Sequence, residues 1–133
     1  MALRVNGICF DCEQPAPLAR FWAAALGYHV REYTDADLAA LRAAGIDDVE
    51  DDPTVVVDGP DGATSLWFSM VPEGKVVKNR VHLDLLPDTG MEVEVERLVG
   101  LGGQMQRAFE EQGLRWTVMR DPEGNEFCVQ SPR

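Results

Sequence analysis

The sequence has few cations and no long apolar segment. Its 133 residues contain 12 lysines and arginines against 23 aspartates and glutamates, a net charge of −11. A surface of that sign repels the phosphate backbone of nucleic acids, so we expect no nucleic-acid partner. No apolar run approaches the roughly 20 residues that span a bilayer, so we also expect no membrane partner.

Cysteine is scarce as well. Three cysteines are an odd number in a short chain, which argues against a framework of disulfides. Cys9 and Cys12 are spaced C-x-x-C, but side chains three apart in a strand point to opposite faces, which favours packing over metal binding. Residues 1–7 lack the apolar core of a secretion signal. We therefore expect a cytoplasmic location and, at this length, a single domain over 1–133.

An internal repeat is the strongest positive signal. The run GICFDC, which starts at Gly7, is followed 75 residues later by HLDLLP, which starts at His82. The pair Leu-Gly at 26–27 recurs at 101–102 with the same offset. Each half also has a Pro-acid-Gly turn before an apolar strand. The repeat predicts two tandem strand-helix-strand-turn-strand units, about 1–73 and 78–133.

Periodic apolar residues predict the elements of each unit. Helical spacing predicts a helix over 15–26, with Leu18, Phe21, Trp22 and Ala25 on one face. A capping box at Thr89-x-x-Glu92 predicts a second helix that runs to Leu101. Its inward residues are expected to be Met91, Val95, Leu98 and Val99. Strands are predicted at 5–12, 29–33, 54–58, 65–71, 80–86, 104–109, 116–120 and 127–130.

The segment 34–52 has no counterpart in the second half. It contains a short helix that begins after Thr34 as N-cap and ends at Gly45. Acidic residues at 47–52 lack the spacing of a calcium loop and indicate a solvated loop. An insertion of this kind either lies near a binding mouth or is a surface loop, and the sequence leaves both open.

Strand alternation predicts a polar cleft. In RVHLDL, Arg80, His82 and Asp84 share one face, and the aliphatic residues between them should meet the helices. The same rule applied to every strand gives a set of side chains that we expect to line a small-molecule cleft. The set is Asp11, Trp67, Ser69, Arg80, His82, Asp84, Glu126, Cys128 and Gln130. For any single residue, an internal charge network remains the alternative.

Three segments in order, DCEQPAPLARFWAAALGY, KNRVHLDL and RDPEGNEFCV, resemble the vicinal oxygen chelate superfamily. Within it they resemble the glyoxalase-like branch that is related to bleomycin resistance proteins. The resemblance covers nearly the whole chain. It implies an α+β fold in which two tandem βαβββ modules form a curled mixed sheet around a central cavity. It also implies a homodimer.

The resemblance carries expectations about metal. Metal-using members take one ligand near the start of each module and one from its late strand, and these positions correspond to Gly7, Trp67, His82 and Cys128. Glycine has no side chain and tryptophan cannot ligate. One imidazole and one thiol, with Glu126 nearby, would hold soft zinc at best. We therefore expect no metal and no cofactor.

The leading functional hypothesis is a metal-free protein that binds or sequesters a drug or metabolite. Trp67 would stack on the ligand, and Arg80 would pair with an anionic group. The alternative is a lyase, dehydratase or isomerase in which His82 is the general acid/base, oriented by Asp84 and acting beside Glu126. A metal-dependent lyase or dioxygenase is a third reading. A purely protein-binding role is the last.

Overall fold

The computed structural model describes residues 1–132, and its backbone contacts divide the chain into two compact units, Met1–Gly74 and a second that begins at Lys75. The helices are α1 (Pro15–Leu26), α2 (Asp35–Ala43) and α3 (Met91–Gly100), with a 3-10 turn at Val49–Asp51. The strands are β1 (Gly7–Cys12), β2 (His29–Val30), β3 (Thr54–Asp58), β4 (Ser65–Met70), β5 (Asp84–Leu85), β6 (Gln104–Glu111), β7 (Leu114–Arg120) and β8 (Glu126–Gln130).

The first unit is a four-stranded mixed sheet with α1 packed on one face. The strand order is β1-β4-β3-β2, with β1 parallel to β4 and the other pairs antiparallel. Helix α1 begins at Pro15, whose fixed φ suits the first helical turn. It ends at Gly27, which has a left-handed φ of 69°. Both ends of this helix are as predicted.

Aromatic residues form the core of the first unit. Trp22 of α1 is 1% exposed and Phe68 of β4 is fully buried. The ring of Phe10 lies between them, 5.3 Å from the Trp22 ring and 5.1 Å from the Phe68 ring, measured between centroids. Burial of such rings supplies much of the hydrophobic stabilisation of a small unit. The face of the sheet opposite α1 is left for polar side chains.

The second unit repeats this plan. Its sheet has the order β5-β8-β7-β6, again with one parallel pair, and α3 packs against it. The buried apolar residues include Met91, Leu98, Met119, Phe127 and Val129. The predicted α+β class with two βαβββ modules is therefore confirmed. The sheets are open, so each has edge strands, and the central cavity implied by the resemblance stays a prediction.

The insertion lies between β2 and β3. Thr34 caps α2 in a capping box: its hydroxyl accepts from the Asp37 N–H at 3.1 Å, and the Asp37 carboxylate accepts from the Thr34 N–H at 2.9 Å. The 3-10 turn is fixed to α1 by two hydrogen bonds of 2.7 Å from Arg20 to Glu50. The N-cap predicted for this helix is therefore confirmed.

The predicted strand at 80–86 is wrong in its length. Only Asp84–Leu85 forms a ladder, and Val81 is 79% exposed instead of packing against a helix. The reason lies just upstream, where the Asn79 N–H donates to the Glu126 side chain at 2.9 Å. Upstream of the bond from the Cys128 N–H to the Leu83 carbonyl, at 2.9 Å, this side-chain contact takes the place of a backbone ladder.

The capping box predicted at the start of α3 is also wrong. The N-cap is Gly90, without a side-chain bond, and the Glu92 carboxylate instead binds Arg115 of β7. Val99, predicted to face inward, is 47% exposed. Strand β1 starts two residues later than predicted, and β2 has only two residues. Within the described residues, no helix is long and apolar enough to cross a membrane.

We predict that Phe68→Ala lowers the free energy of unfolding by about 3–5 kcal/mol, because a large buried ring is replaced by a cavity. Met70→Ala on the same strand is the control, since Met70 is 50% exposed and its loss should cost less than about 1 kcal/mol. Urea denaturation followed by circular dichroism measures both. Equal losses for the two variants would contradict this packing of β4.

Candidate functional site

The face of the first sheet opposite α1 carries the polar side chains of the first unit. On β4, Leu66 and Phe68 are buried, whereas Ser65, Trp67 and Ser69 alternate with them and are partly exposed. Strand β1 runs parallel to β4 and pairs Asp11 with Ser69. The alternation predicted from sequence therefore brings Asp11, Trp67 and Ser69 to one sheet face.

Trp67 is fixed from two sides. A Cβ atom at Gly7 would lie 2.7 Å from the Trp67 Nε1, so the indole occupies the space that a side chain at position 7 would need. The guanidinium carbon of Arg31 lies over the Trp67 ring, 5.5 Å from the ring centroid, in a cation–π contact. Trp67 is therefore a positioned aromatic surface and not a loose side chain.

An ion pair holds Arg31 in this place. Its guanidinium donates two hydrogen bonds to the Asp58 carboxylate, at 2.7 and 2.9 Å. The hydroxyl of Ser65 donates a third to the same carboxylate at 2.6 Å. The hydrogen bonds from Arg31, and then from Ser65, lower the pKa of Asp58 to about 2. Both partners are therefore charged at neutral pH.

A cavity of about 370 Å³ lies between α2 and this sheet face, entirely within the first unit. Its walls come from the segment before α2, from α2 itself, and from β3 and β4. Trp67 and Val56 line it on the sheet side, and Ala40 and Leu41 line it on the helix side. The volume falls in the range of about 300–1,000 Å³ that is typical of small-molecule sites.

Helix α2 is unusual because none of its residues is buried. Its apolar side chain Leu41 borders the cavity and is only partly covered by protein. A helix of a globular protein normally packs its apolar stripe on the core. Here a cavity takes the place of that packing surface.

Tyr33 and Asp52 form a fixed polar wall of the cavity. The Tyr33 hydroxyl donates to the Asp52 carboxylate at 2.6 Å, and the Thr54 N–H donates to the same carboxylate at 2.9 Å. Asp52 is 7% exposed. Burial, and then the hydrogen bond to Asp52, raise the pKa of the Tyr33 phenol far above its usual range. The phenol therefore stays protonated and acts as a donor.

In the second unit, three side chains converge. Ligand atoms of His82, Asp84 and Cys128 all lie within 4.8 Å of one another. The register of β5 and β8 pairs Asp84 with Cys128, and the His82 Nδ1 lies 3.1 Å from an Asp84 oxygen. Burial raises the pKa of the Cys128 thiol, and Asp84 raises it further. The thiol is therefore protonated at neutral pH, and a thiol is a poor nucleophile.

The other sequence-predicted residues of this unit are placed differently. Glu126 is 7% exposed and accepts hydrogen bonds from Lys75 at 3.1 Å and from the Asn79 N–H at 2.9 Å. Burial favours a higher pKa of Glu126, but the bonds from Asn79 and Lys75 outweigh it and lower the pKa. Its carboxylate thus serves to hold the chain in place. Arg80 and Gln130 are exposed, and neither lines the α2 cavity.

Sequence reasoning missed the residues of the cavity other than Trp67. Tyr33, Leu41 and Asp52 come from the insertion or its flanks. A usable signal existed, because Leu38 and Leu41 form an apolar pair on a capped helix that lies beside an acidic loop. What the sequence did not show is that the helix stands off the sheet.

Comparison with known proteins settles the family. Residues 7–130 match the family model of the glyoxalase-like domain. The chain belongs to the glyoxalase-like domain family. A search of curated proteins finds no match to the sequence. The glyoxalase-like relationship predicted from the sequence is thereby confirmed.

Solved structures show the same fold at low identity. A glyoxalase/bleomycin resistance protein/dioxygenase family enzyme from Burkholderia phytofirmans PsJN has a TM-score of 0.69 and 14% identity, with 96% of this chain and 98% of that one covered. The fosfomycin resistance protein FosX from Mesorhizobium loti has a TM-score of 0.67 and 11% identity, with 100% of this chain and 95% of that one covered. The hypothetical protein SA1046 from S. aureus has a TM-score of 0.66 and 16% identity, with 99% of this chain and 100% of that one covered. These similarities show the fold alone.

The four-position metal set implied by the resemblance does not fit this glyoxalase-like protein. In the first unit, Gly7 offers no donor, and the indole of Trp67 fills the adjacent space. In the second unit, His82, Asp84 and Cys128 offer one nitrogen, one oxygen and one sulfur donor. Three donors of this kind are those of an incomplete zinc site, and the thiol must lose its proton to bind.

We predict that the protein purified without chelators contains well under one equivalent of Zn, Ni, Fe or Mn per chain. The reason is that half of the implied ligand set is missing and the remaining thiol is protonated. Inductively coupled plasma mass spectrometry measures the content. His82→Ala serves as the control. A stoichiometric metal in the wild type that is lost in His82→Ala would contradict the prediction.

Proposed function

We propose that this glyoxalase-like protein binds a small organic molecule, without a metal, in the cavity between α2 and the first sheet. The observation that carries the proposal is a well-capped helix with no buried residue above a cavity of about 370 Å³. Such a helix leaves apolar surface in water, and a ligand that covers it gains about 25 cal/mol for each Å² buried. Binding thus provides the contact that the fold omits.

The cavity supports recognition as well as burial. Trp67 presents a fixed ring, and a ring that is already positioned loses little entropy when a ligand stacks on it. Leu41 and Val56 supply apolar walls, and the Tyr33 hydroxyl, whose proton is donated to Asp52, offers its oxygen as an acceptor. A mostly apolar pocket with a few oriented polar groups is the usual form of a ligand site.

Binding is favoured over catalysis by the state of the candidate catalytic groups. Among the predicted catalytic groups, the Glu126 carboxylate is occupied by hydrogen bonds from Lys75 and Asn79. The Cys128 thiol, which lies beside His82 and Asp84, has a raised pKa. One observation supports the alternative that the protein is an enzyme. The His82 Nδ1 lies 3.1 Å from an Asp84 oxygen, so Asp84 can orient the imidazole. In the binding experiment below, an enzyme of the lyase, dehydratase or isomerase type would be revealed by new small-molecule signals in one-dimensional ¹H spectra of the same mixtures.

We predict that Ala40→Phe abolishes ligand binding, because Ala40 lines the cavity and a phenyl ring would fill it. The matched control is Ala39→Phe, the same change one residue earlier at a position that does not line the cavity. Binding of an aromatic fragment library is followed by the indole N–H signal of Trp67 in ¹H–¹⁵N spectra, assigned with Trp67→Phe. The proposal fails if Ala40→Phe binds the fragments as well as the wild type does.

We also propose that the protein forms a homodimer in the cytoplasm. The supporting feature is β6, which lies at the edge of its sheet and is eight residues long. A long edge strand with unpaired backbone groups is a surface that another chain can cover. Sedimentation equilibrium at micromolar concentration is expected to give twice the chain mass of 14.7 kDa. A species of 14.7 kDa alone would reject the dimer.

A further inference from the structure

We infer that the ligand of the α2 cavity is an organic cation, an amine or ammonium group attached to an apolar body. This inference rests on the proposed function and adds the chemical class of the ligand. It follows from a count of the charged groups that line the cavity. Those groups are Arg31, Glu32, Asp37 and Asp52.

The only cation among these lining residues is already neutralised. Arg31 makes two hydrogen bonds to Asp58, at 2.7 and 2.9 Å. Its charge is therefore balanced by a carboxylate outside the lining set, and an anionic ligand would have to displace Asp58 to pair with it. Such a displacement would leave Asp58, which is held ionised by Arg31 and Ser65, without its cation.

Three lining carboxylates remain against one lining cation, Arg31, whose charge also acts on Asp37. The Thr34 N–H donates to the Asp37 carboxylate at 2.9 Å and lowers its pKa, and the charge of Arg31 lowers that pKa further, so Asp37 is ionised. Asp52 accepts from Tyr33 and Thr54, both neutral donors. Glu32 is exposed, and within the described residues no hydrogen bond or ion pair engages its side chain. The cavity thus has an excess of negative charge, with Glu32 available for a direct contact.

The apolar walls decide what kind of cation fits. Leu41, Val56 and Trp67 offer no oxygen ligands to a metal ion on those sides. An organic cation can place its apolar body against these residues and its charged group toward Glu32. Because Arg31 already lies over the Trp67 ring, the ring is left to contact the apolar body of the ligand and Glu32 to contact its charge.

The charge of the whole protein acts in the same direction. With a net charge of −11, the chain attracts cations over a Debye length and repels anions. The sequence-based hypothesis placed an anionic ligand group on Arg80, but Arg80 does not line this cavity. The lining of the cavity therefore favours the opposite charge for the ligand.

The test uses three probes of nearly equal size: benzylamine, benzyl alcohol and benzoate. Each is titrated into the full-length protein in about 20 mM salt, and the Trp67 indole N–H signal reports binding. We expect benzylamine to bind about ten-fold more tightly than benzyl alcohol, and benzoate to bind least. Raising the salt to about 300 mM should weaken benzylamine binding and leave benzyl alcohol unchanged.

Glu32→Gln tests the direct contact. It should weaken benzylamine binding about three- to five-fold, the effect of one exposed ion pair, without changing benzyl alcohol binding. Asp61→Asn is the matched control, because it removes the same charge from the turn between β3 and β4, where Asp61 does not line the cavity. Equal weakening by both variants would mean that only the overall charge acts, which would overturn the assigned contact.

The outcomes separate this inference from the proposed function. If benzyl alcohol and benzylamine bind equally, or benzoate binds most tightly, the cationic class is wrong and the cavity remains a binding site. If none of the probes shifts the Trp67 signal at millimolar concentration, the cavity is not a site for molecules of this size, and both proposals fall.

Discussion

The candidate site depends on the hydrogen bonds that the buried carboxylate of Asp52 accepts. This carboxylate accepts the Tyr33 hydroxyl, which precedes α2, and the Thr54 N–H, which begins β3. These two partners lie at the two ends of the insertion, so one side chain closes the loop. A buried carboxylate is tolerated only when hydrogen-bond donors satisfy it, and here Tyr33 and Thr54 supply them. Closing the base of the insertion holds α2 beside the sheet without packing it onto the sheet.

The regular part of the fold was predictable from the sequence because it depends on local patterns. Helix α1 follows from Pro15, Gly27 and its apolar face, and the two modules follow from the repeat. The alternation of Leu66, Trp67 and Phe68 correctly separates core from polar face. These features are encoded by neighbours in sequence, which is where periodicity is informative.

The errors arose where a distant side chain decided the local structure. The Glu126 carboxylate accepts a hydrogen bond from the Asn79 N–H, 47 residues away in sequence, and the chain there does not join β5. The Glu92 carboxylate pairs with Arg115 of β7 and does not form the predicted capping box of α3. The cavity itself depends on the contact between Tyr33 and Asp52, which the spacing of apolar residues does not show. Such contacts between distant residues are beyond the reach of a periodicity argument.

Gly7 and Trp67 must be considered together. The glycine leaves the space that the indole fills, because a Cβ atom at position 7 would lie only 2.7 Å from the indole nitrogen. A ligating side chain at position 7 would therefore clash with Trp67, and removing Trp67 alone would leave a gap on the sheet face. The aromatic surface and the missing metal donor are two results of one steric arrangement. Binding by stacking and binding through a metal at this position exclude each other.

The isolation of α2 has a thermodynamic consequence. Its nine residues are fewer than the about 12–15 that a helix needs to persist alone in water, and it has its capping box but no buried side chain. It should therefore fray more readily than α1 as temperature rises. A molecule that enters the cavity has to order this helix, and the entropy of that ordering subtracts from its affinity. Warming should therefore loosen α2 before the sheet melts.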